Sequence, residues 1–409
     1  MEKAIELGIG FVTGRANVCK IVNSYFKDMI RQTKNMNRPV NITLFILYDL
    51  NYIGEERINF YKIIPEVYKD INIKFITPEN IKEEKKRIIA RTDITQDEVN
   101  LLLGNGHAKG RNTLMHFAYR DNMDYLLFWD DDEYPLANIK GENSIIWKKQ
   151  NNISMHLANI DKADITIGYH CGYISPIPYI DLKNKIKEED FKDYIESISN
   201  DIISWDSIKE KLKKDNGVTY ANKEIANGKG IYEVQMQNGG KWIAGSTLCL
   251  NLQHIDKIPA FYNPPNARGE DTFFATRLKD SKVLKVPVYH FHDGFLMYTD
   301  IMNGKYPSIL RKAQADNALN FIEKRFYHAS IGWIRYKPLL MYITDNSNYN
   351  KNIETIYNKL KKSIPKMNRI FKEYDFSHLL DELKQYSDNV EQDYKEYIKT
   401  NDIWNRLKK

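Results

Sequence analysis

Bulky apolar residues in this chain fall into short unbroken runs, separated by stretches in which they recur every three or four positions. The first run, residues 7–13 (Leu-Gly-Ile-Gly-Phe-Val-Thr), predicts a strand turning at Gly14 and Arg15. Residues 16–32 then carry Val18, Ile21, Val22, Tyr25, Phe26, Met29 and Ile30, the spacing of one helix face. Residues 42–48 predict a second strand that ends at Asp49, and residues 71–76 a third after a short helix. A strand–helix–strand opening predicts a right-handed crossover and a parallel sheet.

The run that organises the rest lies within residues 123–135, Met-Asp-Tyr-Leu-Leu-Phe-Trp-Asp-Asp-Asp-Glu-Tyr-Pro. Five bulky apolar residues, 125–129, stop abruptly at Asp130, Asp131 and Asp132. A strand apolar on both faces suits the centre of a parallel α/β sheet, and such sheets bind ligands beyond the carboxyl ends of their strands. Side chains alternate along a strand, so Asp130 and Asp132 are expected to share a face while Asp131 turns away. Two close carboxylates repel each other, and a divalent cation bridging substrate phosphates relieves that repulsion. The bland alternative is a solvated acidic turn that caps the next helix.

Upstream, a charged helical stretch at residues 82–103 leads into Gly104-Asn105-Gly106-His107-Ala108-Lys109-Gly110-Arg111-Asn112. Three glycines interleaved with His, Lys and Arg predict a loop able to approach phosphates closely, without the spacing of a Walker motif. A helix over 113–120 follows. Downstream come a helix near 143–160, a strand at 163–173, charged amphipathic helices within 182–214 and a glycine-rich turn at 226–230. Residues 241–251 predict a strand centred on Ala244, Gly245 and Ser246, small enough to admit a ligand or another strand. Arg268-Gly269-Glu270-Asp271 opens a helix, where carboxylates also suit the helix dipole. Residues 283–288 lead to Tyr289-His290-Phe291-His292-Asp293-Gly294, with His290 and His292 on one strand face. Glycine almost disappears after Gly304, and helical spacing takes over. The expected units are an α/β domain at 1–303, carrying a helical insertion at 182–230, and a helical C-terminal extension at 304–409.

Composition changes this picture little. With 409 residues, 42% hydrophobic and 12% aromatic, the chain has ample material for a folded core. An excess of six positive charges is spread along the sequence, which suits an anionic substrate or a membrane surface and does not call for nucleic acid. Cys19, Cys171 and Cys249 are far apart and odd in number, which predicts reduced, buried thiols. Without a signal-like N-terminus or a run of about 20 apolar residues, a cytoplasmic location is expected, with peripheral association at the inner membrane face as an option.

Three separated segments thus offer oxygen or nitrogen ligands: Asp130 to Asp132, Glu270 with Asp271, and His290 or His292. Their order and spacing resemble the GT-A glycosyltransferases, especially inverting members of the family-2 type. In that family a strand-end Asp-x-Asp motif binds a divalent metal that bridges the diphosphate of a nucleotide sugar; Asp130-Asp131-Asp132 is similar to it. Lys109-Gly110-Arg111-Asn112 resembles the Arg-Asn segment before the metal strand. Thr13 and Asp49 match strand ends used around the nucleoside, with Arg15 beside them. Glu270-Asp271 resembles the motif whose aspartate is the catalytic base, and His290 or His292 the late histidine on metal or diphosphate.

The resemblance covers about residues 5–295. It implies a GT-A-type, Rossmann-like, mostly parallel sheet. It also implies Mn²⁺ or Mg²⁺ held by Asp130, Asp132 and a histidine, a UDP-sugar as the expected donor, and Asp271 as base. The acceptor hydroxyl would belong to a saccharide, a lipid-linked glycan or a protein Ser or Thr. The rivals are a nucleotidyltransferase or other Mg²⁺-dependent phosphate enzyme, and a non-catalytic carbohydrate- or protein-binding module. Against a dehalogenase-type phosphatase, the first strand ends in Thr13-Gly14-Arg15 rather than in a nucleophilic aspartate pair.

Overall fold

The apolar runs and helical faces of the first third fold as the periodicity predicts. Strand β1 (Ile5–Thr13), helix α1 (Asn17–Lys34) and strand β2 (Val40–Tyr48) form the opening crossover, and β1 and β2 pair in parallel. The computed structural model describes residues 3–15, 17–48, 62–173, 176–182, 185–198, 205–314 and 320–409; Asp49 lies outside the described residues.

The chain continues through α2 (Val67–Asp70), β3 (Asn72–Ile76), α3 (Pro78–Arg91), α4 (Gln96–Leu102), α5 (His107–Arg120) and β4 (Tyr125–Phe128). Residues 82–103 are two helices rather than one. Thr95 accepts from the Glu98 backbone N–H at 3.3 Å, and the Glu98 carboxylate accepts from the Thr95 N–H at 3.0 Å. This reciprocal capping box starts a new helix. Helix α5 begins at His107, six residues earlier than expected, so Lys109, Arg111 and Asn112 sit on a helix and not in a loop.

Next come β5 (Glu133–Tyr134), β6 (Leu136–Lys140), β7 (Ile145–Lys149), α6 (Asn152–Ile160) and β8 (Ile165–Tyr173). The first part of the helix expected over 143–160 is instead the second strand of a β6–β7 hairpin, with Ile145, Ile146 and Trp147 paired across the ladder. Residues with bulk at Cβ or an aromatic ring favour that pleated surface. Then follow α7 (Glu188–Ile198), α8 (Trp205–Asp215), β9 (Val218–Thr219), α9 (Lys223–Ala226), β10 (Tyr232–Glu233), β11 (Leu248–Asn251), α10 (Glu270–Ala275) and β12 (Val283–His292). Strand character in the 241–251 run is confined to its last four residues. Helices α11 (Asn320–Thr344), α12 (Tyr349–Ile370), α13 (His378–Asp388) and α14 (Val390–Leu407) complete the chain.

The main sheet has the order β3-β2-β1-β4-β11-β8-β12-β10 among the described residues. Strands β1 to β4 run parallel, as do β8 and β12, while β11 lies antiparallel between β4 and β8. The mostly parallel sheet, flanking helices and helical C-terminal region expected from the sequence are all present. Strand β4 is buried on both faces: Tyr125 and Leu127 pack with α1 and α6, whereas Leu126 and Phe128 pack with α4 and α5. From β1 the chain steps outward to β2 and β3, then returns to β4 on the other side, which opens a crevice at the carboxyl ends of β1 and β4.

The C-terminal helices are not a detached appendage. Trp404 of α14 is fully buried against the sheet's helical layer and donates to the Ile258 carbonyl at 2.9 Å. Helices α11 to α13 share an apolar cluster with α7, α8 and Phe273 of α10. The three cysteines are free and buried. Among the described residues no helix is long and apolar enough to cross a membrane.

Candidate active site

Strand β4 ends at Phe128, two residues before Asp130, and the backbone turns before β5 begins at Glu133. The alternation expected of a continuing strand therefore fails. Asp131 and Asp132, not Asp130 and Asp132, share a partner. Asp131 accepts from the Thr13 hydroxyl and from Arg15, whose Nη2 also lies 3.2 Å from Asp132. Asp130 faces another way, toward Nη2 of Arg111 at 3.4 Å, with 39% of its side chain exposed in the crevice.

Arg111 is the buried centre of the arrangement. Its Nη1 donates to the Gly245 carbonyl at 2.6 Å, its Nε reaches Glu270 at 3.2 Å, and its guanidinium lies over the Phe128 ring. One helical residue thus ties the end of β4 to the start of α10. Next to it, Asn112 is fully buried and bonds the backbone of Phe261 in both directions and the Leu102 carbonyl. Its role is to fasten the 261 segment, and it does not line the crevice. Lys109 points away, into a second cavity.

The other expected residues converge. Thr13, Arg15, Arg111, the three aspartates, Glu270, Asp271 and His292 all line one cavity of about 440 Å³. Gly269 has φ of 90°, and a Cβ there would fall 2.7 Å from the Tyr336 ring, so only glycine lets α11 pack against this turn. The pair that follows is electrostatically split. Burial raises Asp271 to about 6, with help from Glu270 and against the pull of Arg111. For Glu270, burial is outweighed by His107 and Arg111, which lower it. Asp130 is likewise pushed up by desolvation, to about 7, since Glu133, Asp132 and Asp131 counteract Arg111. Burial also works on Asp132, yet Arg15, His292 and Arg325 hold it down at about 2.

The two histidines separate cleanly. His290 is fully buried, with Nδ1 at 3.1 Å from Glu133 and Nε2 at 2.8 Å from the Asn152 amide. Both ring nitrogens are engaged, so the reading of His290 as a ligand gives way to a structural one. His292 lines the crevice, and its Nδ1 donates to the Tyr173 carbonyl at 2.9 Å. That bond leaves the Nε2 lone pair as the metal-capable position.

The donors match a hard divalent cation in kind: carboxylate oxygens of Asp130 and Asp132 and one imidazole nitrogen of His292. As arranged, each carboxylate is paired with a guanidinium, and among the described residues no three His, Cys, Asp or Glu side chains are gathered to hold a metal.

Several residues of the crevice carry no mark in the sequence reading. Glu133 is buried and accepts from Ser246 Oγ at 2.5 Å, His170 Nε2 at 3.0 Å and His290. Burial works against charge on His170, but Glu133 outweighs it and raises the imidazole. Its place near the end of β8 was the available signal, as strand ends face the crevice. Arg325 and Tyr336 come from α11, and nothing in their local sequence points to them.

No protein-family model and no curated protein matches the chain. Among solved structures, it is similar to the galactosyltransferase LgtC in complex with donor and acceptor sugar analogs. The identity is 10%, over 80% of this chain and 95% of that one, with a TM-score of 0.25. A likeness that faint carries no weight for fold or function.

Proposed function

We propose that the chain is a glycosyltransferase of the GT-A type, which moves a sugar from a nucleotide-sugar donor to an acceptor hydroxyl with inversion. One observation carries this reading. A single crevice at the sheet's switch point gathers the acidic strand end, Arg111 and the Glu270-Asp271 pair, and only the second carboxylate of that pair is tuned upward. Tuned carboxylates in clefts are where acid–base chemistry is usually found. The mostly parallel sheet with a helical C-terminal region is consistent with that fold type.

In this reading Asp271 takes the proton from the acceptor hydroxyl as that oxygen attacks the anomeric carbon. Attack without a covalent enzyme intermediate inverts the centre. A carboxylate raised to about 6 is still mostly ionised at pH 7 and is a stronger base than an exposed aspartate. Arg111 keeps the base motif in register with the end of β4 and adds fixed positive charge to the crevice. Thr13 and Asp131 orient Arg15 at the rim, where a donor diphosphate would lie. Asp130, Asp132 and His292 would hold Mn²⁺ or Mg²⁺, which when bound supplies countercharge to the departing nucleoside diphosphate.

The test is nucleotide release from a panel of UDP-, GDP-, dTDP- and CMP-sugars with the full chain and with Asp271→Asn. Release from one donor, with UDP-sugar expected, and its loss in the variant support the reading. Silence across the panel together with no nucleotide binding would sink it.

A further inference from the structure

Behind the crevice lies a second and larger chamber of about 1030 Å³, which shares His107, Arg268 and Arg325 with the first. Lys109, Lys324 and His328 also line it. The charge is lopsided. Glu396 is the acid on its wall, whereas Arg335 is already neutralised by Glu382 at 2.6 and 2.7 Å. No salt bridge to Lys109, Arg268 or Lys324 occurs among the described residues, so their charge is turned to the chamber or to water. Desolvation, then Lys324, Arg335 and Arg268, lower the His328 imidazole, as a field of positive sign requires. The N-terminus of α5, with its partial positive charge, opens onto the same wall at His107.

We infer that this chamber receives the acceptor, and that the acceptor is an anionic saccharide carrying a phosphate or carboxylate beside the sugar that offers its hydroxyl. The inference rests on the transferase reading above. The shared residues explain the geometry. A ligand anchored by Lys109 and Lys324 reaches the crevice past Arg268, next to Gly269 and the Asp271 carboxylate. A neutral acceptor seated over these cations would strip water from Lys109, Arg268 and Lys324 without replacing it by countercharge, which costs free energy. Lys109 shows that cost: burial lowers it, opposed only in part by Glu396.

The experiment saturates the full chain with UDP, then titrates glucose 6-phosphate, glucuronate and glucose at low salt, where charge pairing is least screened. At least one anionic sugar should bind about tenfold tighter than glucose, a step of roughly 1.4 kcal/mol. A preference between phosphate and carboxylate identifies the group. Lys324→Ala and Lys109→Ala should each weaken that sugar several-fold and leave UDP affinity where it was. Lys324 is exposed, so its loss does not threaten the fold. Glucose binding as tightly as both anions, or no sugar binding at all, overturns the inference. So does an equal loss of UDP in the variants, which would make the chamber part of the donor site. If neither UDP nor any other nucleotide of the panel binds the wild-type chain, the transferase reading fails by itself, and the same titration without nucleotide still decides whether the chamber selects anionic sugars.

Discussion

Gly245 and Arg111 occupy each other's space: a Cβ on Gly245 would lie 2.7 Å from Nη2 of Arg111, whose Nη1 donates to the Gly245 carbonyl. The small-residue run 244–246 therefore admits a guanidinium, and Ala244, Gly245 and Ser246 also line the crevice.

Gly245→Ala should push Arg111 off Asp130 and Glu270. Overpacking a filled core costs about 1–3 kcal/mol, and thermal unfolding should report a loss of that size. Donor turnover should fall further than stability does, because the two halves of the crevice lose their common tie. Unchanged turnover would remove Arg111 from its organising role.

The pH profile should carry the mark of Asp271. Burial raises its carboxyl to about 6, and the base works only when deprotonated. Transfer should be nearly flat above pH 7 and decline about tenfold per unit once pH drops below 6. Asp271→Asn should cost on the order of 10²–10⁴ in kcat, with UDP affinity little changed. A midpoint that stays near 6 in the variant would assign the profile to another group.

Metal dependence should be tested on Asp132, held at about 2 by Arg15, His292 and Arg325 against the effect of burial. Asp132→Ala should abolish stimulation of nucleotide release by Mn²⁺. Asp132 is buried and Arg325 loses its carboxylate, so the melting temperature should fall somewhat, while Arg15 retains Asp131. Release that survives both chelator and the substitution would leave countercharge to the guanidiniums alone.

Gly269→Ala probes the contact between α11 and the base motif. A side chain at φ of 90° is strained, and its Cβ would strike Tyr336. Backbone strain of this kind costs about 1–3 kcal/mol. Loss of activity at temperatures where circular dichroism shows a folded chain is the expected result; full activity would separate α11 from the site.

What the sequence determined by itself was local. Runs such as residues 125–129 and the repeat through Val18, Ile21, Val22 and Tyr25 define strands and helices because side-chain direction follows backbone period. An acidic cluster at the end of a two-faced apolar strand likewise marks a crevice before any contact is known. Four things were decided only in three dimensions. β4 stops at Phe128, so the aspartates fan out to Arg15 and Arg111 instead of alternating. Lys109 and Arg111 are two residues apart on one helix and serve different cavities, a matter of helical phase once α5 starts at His107. His290 and His292 share a strand face, yet Glu133 and Asn152 consume one while Tyr173 leaves the other half free. Arg325 reaches Asp132 across 193 positions, and a contact that distant leaves no periodic trace in the chain.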